Sequence, residues 1–151
     1  MNAIDRPTVH VAAIVPLASE LGGDELLVLR NADRLMLPFG PLAPGERLLD
    51  AAERVVREQA GFPPEAVRLV YLLEARNGAL IAGVQCNLPA DLNDEVDLRG
   101  EFVSLSHTDL RLEPMALSEI LVEDLRSGFV RPVAHLVELP GGDGPIVQIT
   151  W

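Results

Sequence analysis

Apolar and polar positions alternate in blocks short enough to predict strands along most of the chain. Val9–Leu17 (VHVAAIVPL) is almost continuously apolar, the pattern of a strand buried on both faces, and Glu25–Arg30 (ELLVLR) predicts a second strand after the turn-forming ELGGD. Arg34–Leu37 is a short third strand running into a Gly/Pro loop. The period then changes. Leu48, Ala52, Val55, Val56 and Gln59 recur at i, i+4, i+7, i+8 and i+11, one stripe of a helix predicted over Glu46–Ala60. Pro44-Gly45 precedes that helix, Gly61 closes it, and Pro63-Pro64 prevents its continuation. Asp50–Arg54 and Glu53–Arg57 are acid-to-base pairs at i,i+4 on its polar side.

Ala66–Ala75 and Ala79–Leu88 alternate as strands around Arg76-Asn77-Gly78, a hairpin signal. The acidic stretch from Pro89 to Gly100 (PADLNDEVDLRG) is a loop, Glu101–Leu105 a strand, and Ala116–Arg126 a second helix ended by Gly128. The tail, residues 129–151, predicts two strands around PGGDG as a C-terminal β extension. Such a hairpin must bury one face, on its own domain or on a second copy, and a homodimer contact through it is the expectation. Strands flanking two helices in this order predict an α+β fold, a mixed β-sheet between helices, as a single domain spanning residues 1–151.

Composition narrows the classes. At 151 residues and 48% hydrophobic content the chain can bury a core without disulfides or metal. Its lone cysteine, Cys86, lies in an apolar run and is expected to be a small buried hydrophobe. A net charge of −11 argues against a nucleic-acid partner. No apolar run approaches a membrane span, and the N-terminus lacks a secretory pattern, so a cytoplasmic protein is expected. All 12 basic residues are Arg, which excludes a P-loop lysine and Schiff-base chemistry. Arg also suits bidentate contacts to anions, making Arg30, Arg34 and Arg57 candidate ligand clamps.

The chemistry concentrates between Leu35 and Phe62, LMLPFGPLAPGERLLDAAERVVREQAGF. A Gly/Pro loop leads to an acidic residue, then a helix carrying Arg and Glu, then a closing Gly. Gly40, Glu46, Arg54, Val56, Glu58, Gly61 and Phe62 fall, without a gap, on the signature G-x5-E-x7-R-E-U-x-E-E-x-G-U, with U a bulky apolar residue. Leu37–Glu46 (LPFGPLAPGE) matches the entry loop of that signature, and Ala51-Ala52 follows at its usual place. The chain therefore resembles the Nudix hydrolase superfamily.

That resemblance implies an α/β/α sandwich and a pyrophosphohydrolase using magnesium or manganese, held by glutamates stacked on one helix face. Here the three ligand positions read Val55, Glu58 and Gln59. Val offers no ligand, Gln a neutral oxygen, and Glu58 is the one anion. Phe39 takes the place of the first loop Gly. The resemblance carries over Glu58, Glu46 and Arg54 as catalytic positions, Glu58 and Gln59 as metal positions, and Arg34, Phe39 and Gly40 as ligand-binding positions. An additional acid past the signature would be Glu101, Asp97 or Glu95.

With the carboxylates depleted, the expectation is a protein that binds a small, nucleotide-like molecule or is catalytically poor, with no metal cofactor. The competing expectation is a divergent magnesium- or manganese-dependent hydrolase of nucleoside diphosphates linked to another moiety. A scaffold with a vestigial pocket is a third, since Phe39 and Pro41 impair a phosphate cradle. The histidines point nowhere clear: His10 lies in a strand, His135 in the tail, and His107 beside Asp109 in a predicted turn.

Overall fold

The computed structural model describes residues 8–17, 25–89, 99–105, 111–113, 117–129, 132–138 and 146–150. Two sheets organise them. A six-stranded mixed sheet has the order β10-β9-β5-β6-β1-β4, and a four-stranded sheet the order β7-β2-β3-β8. The strands are β1 (Val9–Ile14), β2 (Glu25–Asn31), β3 (Arg34–Met36), β4 (Phe39–Pro41), β5 (Glu65–Glu74), β6 (Leu80–Asn87), β7 (Glu101–Ser104), β8 (Arg111–Glu113), β9 (Ala134–Glu138) and β10 (Ile146–Thr150). The helices are α1 (Leu48–Ala60) and α2 (Ser118–Ser127).

β1 lies between β6, parallel, and β4, antiparallel, and its alternation feeds both cores. Val11, Ala13 and Val15 pack with Ala51, Ala52, Val55 and Val56 of α1. Ala12 and Ile14 face the opposite core, with Leu117, Leu121 and Leu125 of the α2 region. The strand expected to be buried on both faces is so, and it contributes to both cores. Tyr71 of β5 has its ring over Gly83, where any side chain would collide at 2.9 Å, and its hydroxyl donates to the buried Asp124 carboxylate of α2. That bond fixes α2 to the sheet while satisfying a buried polar pair.

Several boundaries move from the sequence expectation. β1 ends at Ile14, because Pro16 has no amide for the ladder. Val15–Leu17 instead bonds to β2, Leu27 N–H donating to Val15 and Leu17 N–H to Glu25. α1 begins at Leu48, not Glu46. Glu46 stays in the preceding turn because its carboxylate accepts from the Ala43 amide, beside a Gly45 at φ +77°. β4 and β8 were not expected at all; three-residue strands carry too little alternation to stand out. The C-terminal hairpin forms, and β9 joins β5 in parallel, so it extends the chain's own sheet.

Candidate functional site

Among the described residues β4 is the edge strand of the six-stranded sheet, paired with β1. Pro38 and Leu42 bond inward to β1, which leaves the N–H and C=O of Phe39 and the C=O of Pro41 pointing off the edge. Side chains of α1 answer them. Gln59 accepts from the Phe39 amide through Oε1 at 3.0 Å and donates from Nε2 to the Phe39 carbonyl at 2.6 Å. Its carboxamide thus pairs with one residue of β4 much as a neighbouring strand would. Arg54 donates to the Pro41 carbonyl at 2.8 Å.

The same guanidinium organises the loop. It grips Glu46 at 2.8 and 3.0 Å in a bidentate pair and reaches Glu58 at 3.4 Å. Arg54 therefore pairs back to the loop and along the helix, and Glu53 turns to accept from the Ala66 amide at the start of β5. The bond from Arg54, with a second from the Ala43 amide, holds the Glu46 carboxyl below its ordinary range. Behind the loop, Val55 is 1% exposed, and its Cγ1 lies 2.9 Å from where a side chain on Gly40 would begin. Gly40 is glycine because Val55 occupies the space.

Glu58, by contrast, has a side chain 57% exposed, with Arg54 as its ion-pair partner. Among the described residues no three His, Cys, Asp or Glu side chains converge into a cluster able to hold a metal ion. Arg99 closes the end of α1, its main-chain amide bonding to Ala60 and its guanidinium to the carbonyls of Glu58 and Arg57. A cation on the last carbonyls of a helix suits both the hydrogen bonds and the dipole.

The Phe39 ring projects from the other face of β4, away from α1. It stacks flat on His10 of β1, with centroids 5.0 Å apart and planes 4° from parallel. His10 Nδ1 is buried without a hydrogen-bond partner. Beside the stack is a cavity of about 180 Å³, lined by Met36, Phe39, Ile81 and Glu113. It lies where the two sheets meet, since Phe39 and Ile81 belong to one and Met36 and Glu113, paired in register, to the other. Arg34 is exposed on β3 and bridges to Glu113 at 3.8 Å.

The residues singled out in the sequence thus divide between two faces. Glu46, Arg54, Glu58 and Gln59 gather around the outer edge of β4. Phe39 lines the cavity, with Arg34 linked to it through Glu113, while Gly40 turns its α-carbon to Val55. Glu101 is held by Arg30, and His135 by Glu74. Asp97, Glu95, His107 and Asp109 lie outside the described residues. Burial pushes the Cys86 thiol up to about 12, which removes it as a nucleophile at neutral pH. Met36, Ile81 and Glu113 were not singled out, and His10 was assigned no role, because their convergence requires the pairings of β4 and β8.

No protein-family model matches the chain, and no curated protein does. Solved structures do. An ADP-ribose pyrophosphatase from Streptococcus suis is 20% identical with a TM-score of 0.65, covering 88% of this chain and 100% of that one. A NUDIX hydrolase from Nitrosomonas europaea is 18% identical with a TM-score of 0.69, over 92% and 82%. The chain has the Nudix fold. A UDP-X diphosphatase, 14% identical with a TM-score of 0.62, covers 91% of this chain and 70% of its own. These likenesses concern the Nudix architecture alone. Among the described residues, no helix is long and apolar enough to cross a membrane.

Proposed function

We propose that this Nudix-fold protein binds a small molecule and does not carry out metal-assisted diphosphate hydrolysis at ordinary enzyme rates. The observation that carries this reading is the Gln59 carboxamide, both of whose polar atoms are engaged by the main chain of Phe39. A ligand oxygen there would have to leave the Phe39 amide, and the Nε2 donor repels a cation. Val55 supplies no donor and is packed against Gly40. Glu58 is left as the single anion at the three positions, with Arg54 already beside it. One carboxylate facing an arginine does not assemble the oxygen-rich shell that magnesium requires.

The test combines titration calorimetry with magnesium and manganese and an assay on nucleotide sugars, dinucleoside polyphosphates and nucleoside triphosphates. The expected result is no saturable micromolar metal binding and no turnover approaching the range of about 1–10³ per second. Stoichiometric metal binding abolished by Glu58→Ala, or turnover in that range, overturns the reading in favour of a divergent hydrolase.

A further inference from the structure

An edge strand presents unpaired main-chain groups, which another chain can use as a template for a further strand. Among the described residues β4 is such an edge. Its antiparallel register with β1 directs the N–H and C=O of Phe39 and the C=O of Pro41 outward. None of these groups is open. Gln59 takes both groups of Phe39, at 3.0 and 2.6 Å, and Arg54 takes the Pro41 carbonyl at 2.8 Å. A carboxamide carries a donor and an acceptor side by side, so Gln59 offers what a residue of a neighbouring strand would. Arg54 is held over the edge by its bidentate pair with Glu46.

Pro41 acts in the same direction. The self-complementary way for a second copy to meet this edge is antiparallel, about a two-fold axis at Gly40. Phe39 of each chain then lies opposite Pro41 of the other. The Phe39 N–H reaches the opposing Pro41 carbonyl, but proline returns no N–H to the Phe39 carbonyl. Each copy is left with an unmet acceptor.

We propose that Gln59, Arg54 and Pro41 together keep the edge of β4 shut against β4 of a second copy, so that the six-stranded sheet does not lengthen from this side. The two helix side chains occupy the outward groups, and the proline makes the competing pairing incomplete. The device works without ligand or metal, so it stands apart from the binding function proposed above.

The experiment compares the natural chain with Gln59→Ala, Pro41→Val and the double variant, by sedimentation velocity over a range of concentration and by hydrogen exchange at the Phe39 amide. Leu121→Ala, in the buried core of α2, controls for association caused by loosened packing alone. In the natural chain the Phe39 amide is expected to be protected at every concentration. In Gln59→Ala it should exchange about tenfold faster when dilute, the scale of one lost hydrogen bond. Pro41→Val alone should behave as the natural chain, its edge still held by Gln59 and Arg54. The double variant should associate beyond the natural chain, about tenfold more tightly than Gln59→Ala, and regain protection at Phe39 as it does so. A folded double variant that keeps the natural chain's state, Leu121→Ala associating as strongly, or a Phe39 amide already unprotected in the natural chain each overturns the proposal. Thermal unfolding checks that each variant is folded. If the double variant is not, Gln59→Ala decides, because it must still associate more than the natural chain.

Discussion

Gln59 completes the edge of β4, and its amide group explains why a glutamine differs from a glutamate there. A carboxylate could still accept from the Phe39 amide, but it would face the Phe39 carbonyl, 2.6 Å from the present Nε2, with no donor between two acceptors. Gln59→Glu is therefore expected to lower stability by about 1–3 kcal/mol in metal-free buffer, the cost of an unmet buried acceptor. A divalent cation is the one addition expected to restore it. Urea denaturation with chelator and with manganese measures both effects, and unchanged stability in chelator would contradict the clasp. Gly40→Ala should cost about 1–3 kcal/mol through overpacking, since the new methyl meets Val55 Cγ1 at 2.9 Å. Combining it with Val55→Ala should recover part of that loss, which a double-mutant cycle reads as coupling. Strict additivity would place the clash elsewhere.

At the scale of the element, α1 is attached to the loop before it through Arg54. Glu46 lies outside the helix, and the bidentate pair with the Ala43 bond ties residues 41–46 to the helix side chain. The folded-state pKa of Glu46 is depressed below its ordinary value of 4.5. The sign follows directly. Its contribution to stability is present above the unfolded-state pKa and is lost as pH falls through the lower folded-state value. The stability difference between the natural chain and Glu46→Gln should accordingly be largest near neutral pH and shrink in acid, as denaturation at a series of pH values would record. A difference that grew on acidification would mean that Arg54 does not stabilise the carboxylate. The polar stripe of α1 was readable from the sequence, but the partners were not. Spacing offers Arg54 an acid four residues away in either direction, and the fold adds Glu46 and the Pro41 carbonyl.

For the molecule as a whole, the C-terminal hairpin sets one limit of the six-stranded sheet. β9 pairs with β5, and β10 is the terminal strand in the sheet order. Buried Ala134 and Leu136 make this hairpin part of the core, so removing residues 132–151 should lower thermal stability markedly. Unchanged melting after truncation would contradict that role. A homodimer remains the expectation for the outer edge of β10, where a second copy could add strand to strand. Sedimentation velocity over a range of concentration tests it, and a monomer throughout would confine the hairpin to its own sheet.

The Gly/Pro loop, the period of α1, the closing Gly61 and the Asn77-Gly78 turn were legible because each is a local requirement of backbone geometry. Those local signals, in register with a known signature, were sufficient to give the fold. They also showed that positions 55 and 59 lack carboxylates. Val55 already fell on the apolar stripe of α1, and it is buried there; what Gln59 does instead was decided only in three dimensions. Gln59 reads as a polar residue on a helix until β4 forms an edge whose main chain needs a partner, and β4 is too short for its alternation to be seen. The cavity depends still more on tertiary structure. Met36 and Glu113 meet because β3 and β8 pair in parallel, and Phe39 stacks on His10 because β4 lies beside β1. Contacts between residues distant in sequence leave no periodicity in either segment, so the chemistry of that cavity came from the fold alone.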